Sequence, residues 1–147
     1  MLPVVRVKNG VNFSVISPGG FRILSALDHL AIQIDHDVTI TSACDGTHSG
    51  PTDPHHLGKA YDIRTKDLPN KHDALAKIQA SLGDRFFAWI EDEGGDNEHI
   101  HCQVRKGTDY PPNPASGAVE IETLAVSGTS QPTENPSTPA EPEANNP

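Results

Sequence analysis

The chain is short of long apolar runs, of aromatic rings and of cysteine, and each scarcity excludes something. No stretch of 18 consecutive apolar residues occurs, so nothing reads as a transmembrane helix and membrane insertion is not expected. Nor is there a basic segment leading into an apolar stretch with a small-residue cleavage site, so a secretory signal is not expected and synthesis in the cytoplasm is. Cys44 and Cys102 are the only cysteines and form neither a CxxC motif nor a disulfide framework. One bridge would fit a domain of this size, but two buried strand thiols are the expectation. With 147 residues, 35% apolar and 5% aromatic content, there is material for one hydrophobic core.

Basic residues are missing from one region altogether. From Thr108 to Pro147 there is no Lys or Arg, while six acids and eight of the 13 prolines fall there. Pro, Ser, Thr, Glu and Asn dominate from about Ser127, a composition that cannot offset its own ordering entropy, so 108–147 is expected to be a disordered acidic tail. Within it, only Ala118 to Val126 is apolar enough to add an edge strand. Residues 1–107 hold 14 acids and 11 bases, a formal −3 of the chain's −9, and all eight histidines. That charge offers no basic face for a phosphate backbone, so nucleic acid is excluded as the main partner.

The chemistry is expected in 1–107, and the hydrophobic pattern there alternates between periods. Val4 to Val15 reads as a hairpin around Asn9-Gly10, a pair that tolerates the positive φ of a tight turn. Ile23, Leu24, Leu27, Leu30, Ala31 and Ile34 recur at helical spacing, with Asp28, His29 and Gln33 opposite. Val38 to Ala43 and Lys59 to Thr65 read as strands separated by a long loop rich in Gly, Pro and Asp. Pro69 to Leu82 predicts a second helix with Ala74, Leu75, Ile78 and Leu82 inward and Gly83 as its stop. Arg85 to Glu91 and His99 to Arg105 predict two further strands around the loop EDEGGDNE. The fold class is therefore α+β, a small antiparallel or mixed sheet with two main helices.

Ligand-type residues gather at two strand starts. His55, His56 and Asp62 surround one; Glu98, His99 and His101 surround the other. Side chains alternate along a strand, so His99 and His101 share a face, as do Ala60, Asp62 and Arg64. A lone His-x-His is usually a surface or core pair, and an isolated Asp is usually a cap or an ion-pair partner. If the two strands are neighbours, however, an Asp and two histidines converge, with His55 arriving from the loop. Two histidines and one carboxylate with an open position suit a catalytic zinc ion, or the facial triad of a non-haem iron.

The segments HHLGKAYDI and EHIHCQV resemble the H-x-x-G-x-A-x-D signature and the E-x-x-H or H-x-H element of zinc D-alanyl-D-alanine peptidases and Hedgehog domains. The resemblance covers roughly Val38 to Lys106 and is nearest to small cell-wall peptidases of bacteriophages. It implies a Hedgehog/DD-peptidase-like fold and one zinc ion held by His55, Asp62 and His101. It also implies Glu98 as the general base, with Asp96 in reserve, and His99 as a group that hydrogen-bonds substrate or oxyanion. Glu91, Asp92 and Glu93 read as a solvated charge run. Two positions depart from the family: the turn that carries a substrate-binding Arg is Ser42-Ala43-Cys44-Asp45 here, and Asp53 stands where Ser is common. Arg22 or Arg64 would then supply the substrate-binding cation, and His48 would line the cleft. The expected substrate is a peptide of peptidoglycan, cut by a monomer acting at the bacterial cell wall as a phage lysis enzyme or virion component. The alternative is a zinc-stabilised binding module of the same fold without catalysis.

Overall fold

In a computed structural model, residues 1–108 are described, and they belong to the first of two units, Met1–Gly117 and Ala118–Pro147. The elements run β1 (Val5–Val7), α1 (Pro18–Ile34), β2 (Val38–Ser42), β3 (Ala60–Arg64), α2 (Lys71–Leu82), β4 (Phe86–Glu91) and β5 (His99–Val104). They build one mixed five-stranded sheet in the order β1-β2-β3-β5-β4, with β1 parallel to β2 and every other pair antiparallel. Two helices and this sheet make the fold α+β. The expected tail and the short strand over 118–126 lie outside the described residues. Among those described, no helix is long and apolar enough to cross a membrane.

The helices form where their caps dictate. Ser17 accepts from Gly20 N and Pro18 opens α1 with its φ preset, while Asp35 closes it in the left-handed region at φ 48°. Ile23, Leu27, Leu30 and Ala31 are fully or almost fully buried, as their spacing predicts. Each of the larger three stabilises the fold by about 1.5–3 kcal/mol through burial. Helix α2 begins two residues later than the sequence suggests, because Asn70 accepts from His72 N and Asp73 N and so sets the cap there. Gly83 ends it, as expected.

The N-terminal hairpin does not form. Asn9-Gly10 does turn the chain, with Gly10 at φ 87° and Val11 N donating to Lys8 O. Beyond the turn, however, the chain leaves the sheet, and Asn12 O accepts from Cys44 N in the β2–β3 loop. Strand β1 instead pairs in parallel with β2, Val5 opposite Val38 and Val7 opposite Ile40. The local turn signal was sound; the partner was chosen by burial of Val38 and Ile40 beneath α1.

One face of the sheet carries the core. Ile40, Tyr61, Ile63, Phe86, Ile100, Cys102 and Val104 point to the helices and are buried. Cys44 and Cys102 are both free and buried, and burial raises the Cys102 thiol well above its ordinary value. The opposite face carries Asp62, Arg64, His99, His101 and Gln103, with Phe87, Trp89 and Glu91 beside them on β4. A sheet covered by helices on one side and open on the other puts every second residue of β3, β4 and β5 toward a cleft.

Candidate metal centre

Strands β3 and β5 are neighbours in the register that pairs Asp62 with His101 and Arg64 with His99. His55 joins them from the long β2–β3 loop, which is tied down at both ends. Asp53 accepts from His55 N at 3.0 Å and from Ser49 Oγ at 2.7 Å, and Gly58 N donates back to His55 O. Gly58, at φ 62°, then brings its carbonyl against Ser17 N and Ser17 Oγ at the start of α1. A Cβ on Gly58 would fall 2.4 Å from Val15 O, so only glycine allows this approach. The departure at position 53 thus has a local use. So does Asp45, whose carboxylate accepts from Asn12 N and Ala43 N and closes the base of the loop.

Three acceptor atoms converge on the cleft floor. His101 Nδ1 lies 2.8 Å from Asp62 Oδ1, His55 Nε2 lies 3.3 Å from His101 Nδ1, and His55 Nε2 lies 3.4 Å from Asp62 Oδ1. The hydrogen bonds on the far sides of the rings assign the tautomers. His55 Nδ1 faces Ala43 O at 2.8 Å, a carbonyl that can only accept, so it carries the proton and leaves Nε2 bare. His101 Nε2 faces Gln103 Oε1 at 3.0 Å, which leaves Nδ1 bare in the same way. All three residues are buried, so two bare ring nitrogens and a carboxylate oxygen face one another with little water. Such a group calls for a shared cation, a proton or a metal ion. Ligand atoms about 2.0–2.2 Å from one tetrahedral ion stand about 3.3–3.5 Å apart, close to two of the three separations. The outer partners Ala43 O and Gln103 orient the rings as metal-bound histidines are oriented. His55, Asp62 and His101 therefore lie close enough together to bind a metal ion.

The charges respond as this geometry requires. With a proton in place of a metal ion, burial pushes the Asp62 carboxyl up, but the hydrogen bond that a proton on His101 Nδ1 makes to Asp62 Oδ1, with the other histidines around it, outweighs burial and holds the group well below the ordinary carboxylate range. For His101, burial opposes the charged form and the hydrogen bonds to Asp62 and Gln103 overcome it, raising its pKa.

The other expected site residues divide. His99 stands at the centre: its Nδ1 donates to Asn97 O at 2.7 Å, and Nε2 lies 3.2 Å from Glu91 Oε2 and 3.6 Å from Asp62 Oδ1. His48 lines the cleft and stacks flat on His55, ring centres 4.0 Å apart, with Nε2 donating to Asp45 O. Arg64 stands beside His99 on the open face, where it pairs with Asp67 at 3.3 Å. Arg22 is elsewhere. Its guanidinium donates to Ser81 O at the end of α2, so it joins the two helices and cannot reach the cleft.

Glu98 is also turned away from the centre. Its Oε2 accepts from Lys71 Nζ at 2.6 Å and from Gly94 N at 2.7 Å, at the start of α2. Glu98 lies one residue before β5 at the edge of a neighbouring cleft, where Lys71 and Gly94 hold its carboxylate away from His55 and His101. Asp96 lines a neighbouring cleft with Asp62, Arg64 and His99. The carboxylate that does face the histidines is Glu91, which groups with His99 and His101 as a possible set of ligands. Asp92 and Glu93 are exposed, as expected of a solvated run, with Asp92 Oδ2 accepting from Asn97 N and Glu93 pairing with Lys71 and His72 at the surface; Glu91 alone departs from it. Gln103 and Glu91 are the residues missed from sequence. The hairpin register that sets Glu91 opposite His99 and Phe87 opposite Gln103 would have found both.

The Glu98 bond has a measurable consequence. The Lys71 ammonium, with help from Gly94 N, holds the Glu98 carboxyl at about 2 against an ordinary 4.5. A lowered pKa in the folded state gives stability that is full above about pH 4.5 and is lost as the pH falls toward about 2. Thermal unfolding midpoints of the wild type should therefore drop more steeply across this window than those of Glu98→Gln, with the two converging at its acid end. A constant gap across the window would show that this charge is not linked to folding.

The cleft above the centre has a volume of about 380 Å³ and is lined by His48, Asp53, His55, Trp89, Glu91 and His101, among others. Comparison with protein-family models, curated proteins and solved structures gave no match to this chain.

Proposed function

We propose that the chain is a zinc-dependent peptidase of the D-alanyl-D-alanine peptidase and Hedgehog type, acting on the peptide stems or cross-links of bacterial peptidoglycan. The observation that carries this reading is the convergence of His55 Nε2, Asp62 Oδ1 and His101 Nδ1 within 2.8–3.4 Å at the floor of an open cleft. These residues occupy the positions that H-x-x-G-x-A-x-D and H-x-H would assign to ligands. Two imidazoles and one carboxylate suit zinc in a site that keeps a position free for chemistry. Bound there, zinc would act as a Lewis acid toward a peptide carbonyl and lower the pKa of water.

The rest of the reaction falls to the chain's own groups. Glu91 Oε2 stands over the cleft beside His99 Nε2, and its Oε1 accepts from Trp89 Nε1 at 3.1 Å, which fixes the carboxylate. Glu91 takes the proton of an attacking water and returns it to the leaving amine. With its Nδ1 proton committed to Asn97 O, His99 shares that mobile proton at Nε2, and in the protonated form donates to the developing oxyanion. His48 and Trp89 cover the flanks of His55 and His101 and restrict water to the cleft.

A second reading, a zinc-stabilised binding module without catalysis, is favoured by one observation: the carboxylate at the E-x-x-H position, Glu98, is bound to Lys71. Metal analysis of the full chain, followed by mass spectrometry of peptidoglycan incubated with it, separates the two. One zinc per chain and fragments with new peptide termini are the expected result. Stoichiometric zinc without released fragments would establish the binding module, and no bound metal would overturn both.

A further inference from the structure

We infer that Trp89, Phe87 and Arg105 form a peptide-binding shelf continuous with the metal centre, which takes an extended chain carrying a carboxylate two or three residues from the reacting bond. The identity of the reacting bond rests on the peptidase reading above; the shelf itself rests on separate residues. The chain has only seven Phe, Trp and Tyr residues, and two of them stand side by side on the open face of β4. Phe87 is 39% exposed and Trp89 36% exposed, so neither serves the core.

The two rings are held in place. The Trp89 ring lies 4.5 Å from that of His101 and its N–H is bound by Glu91; Phe87 meets it edge-on at 6.4 Å. The Arg105 guanidinium lies 4.0 Å over the Phe87 ring. Fixed rings lose little freedom when they bind a ligand, and they offer apolar area beside a polar centre. Arg105 is exposed, and no carboxylate of the described residues pairs with it. A guanidinium held flat by a ring keeps its outer N–H fork for a carboxylate, which it can bind through two hydrogen bonds.

The spacing sets the ligand. Register places Trp89 opposite His101 and Phe87 opposite Gln103. Two residues of strand rise by about 7 Å, so an extended peptide lying along β4 from the metal centre reaches Phe87 after two residues. A carboxylate on that residue or the next meets Arg105. Asp84 shares the hollow that Phe87 and Arg105 line, which works against a polyanionic phosphate backbone there. Edge pairing of a ligand strand is obstructed as well, because Gln79 Nε2 already occupies Ala88 O at 2.9 Å.

Trp89 is the chain's one tryptophan, so its emission reports on the shelf directly. The test is stopped-flow emission of the zinc-loaded full chain, read before turnover, with two probes: a synthetic peptidoglycan stem pentapeptide with free carboxylates, and the same peptide with its carboxylates amidated. The acidic peptide should bind at least tenfold more tightly than the amidated one. Arg105→Gln should abolish that preference while leaving affinity for the amidated peptide unchanged, and Arg105→Lys should keep part of it. Equal affinities in the wild type, or an undiminished preference in Arg105→Gln, would overturn the shelf. Hydrolysis is scored separately: binding preference without cleavage rejects the peptidase reading alone, and cleavage without preference rejects the shelf alone.

Discussion

Replacing His101 with Ala should lower zinc affinity by more than about a hundredfold, since even the loss of an outer-shell partner costs about 10–100-fold at such sites. The variant removes one of three converging acceptors and frees Gln103 Oε1 from the ring it orients. It also leaves the Asp62 carboxylate buried with His55 as its closest remaining partner, which destabilises the metal-free protein. Asp62→Asn is the companion variant, because the amide keeps the shape of the side chain while removing the ligand charge. Both should show the same loss in a competition titration against a chelator, with circular dichroism confirming the fold. Full zinc occupancy in His101→Ala would remove that residue from the ligand set. The emission of Trp89, whose ring is 4.5 Å from that of His101, supplies an independent readout, since a quenching ion such as Cu²⁺ should dim it only where the site still binds.

Glu91→Gln should reduce kcat by about 10²–10⁴-fold with zinc content unchanged, the range expected when a positioned proton acceptor is lost. Glutamine preserves the contact with Trp89 Nε1 through its carbonyl, so the aromatic side of the cleft stays in place. Glu98→Gln should leave kcat within a few-fold of the wild type, because its carboxylate faces Lys71 and Gly94 rather than the histidines. Steady-state cleavage of a stem peptide by the two variants decides between the carboxylates. Loss of activity in Glu98→Gln with full activity in Glu91→Gln would return the role of base to Glu98, and would require its side chain to leave Lys71 during the reaction.

Much of this architecture was legible in the linear chain. Helical spacing at Ile23, Leu27, Leu30 and Ala31 and strand alternation around Asp62 and His101 depend on local backbone geometry alone, so the elements and their inward faces followed directly. The residues able to hold a metal ion were legible for a related reason. Gly58, Ala60 and Asp62 lie within five residues, and His99 and His101 within three, so each half of the site is held at short range.

What failed depended on partners far away in the chain. The hairpin at Asn9-Gly10 was lost because β1 found β2. Arg22 was lost to the α1–α2 junction through Ser81 O. The register of β4 against β5, set across an irregular loop, puts Glu91 opposite His99, while Lys71 at the start of α2 holds the Glu98 carboxylate. Sequence alone determined which residues are able to hold a metal ion and the faces on which they lie. Tertiary structure alone decided which carboxylate meets the histidines and that two aromatic rings and an arginine flank them, because strand register and helix packing are fixed by burial of the whole core and not by any local pattern.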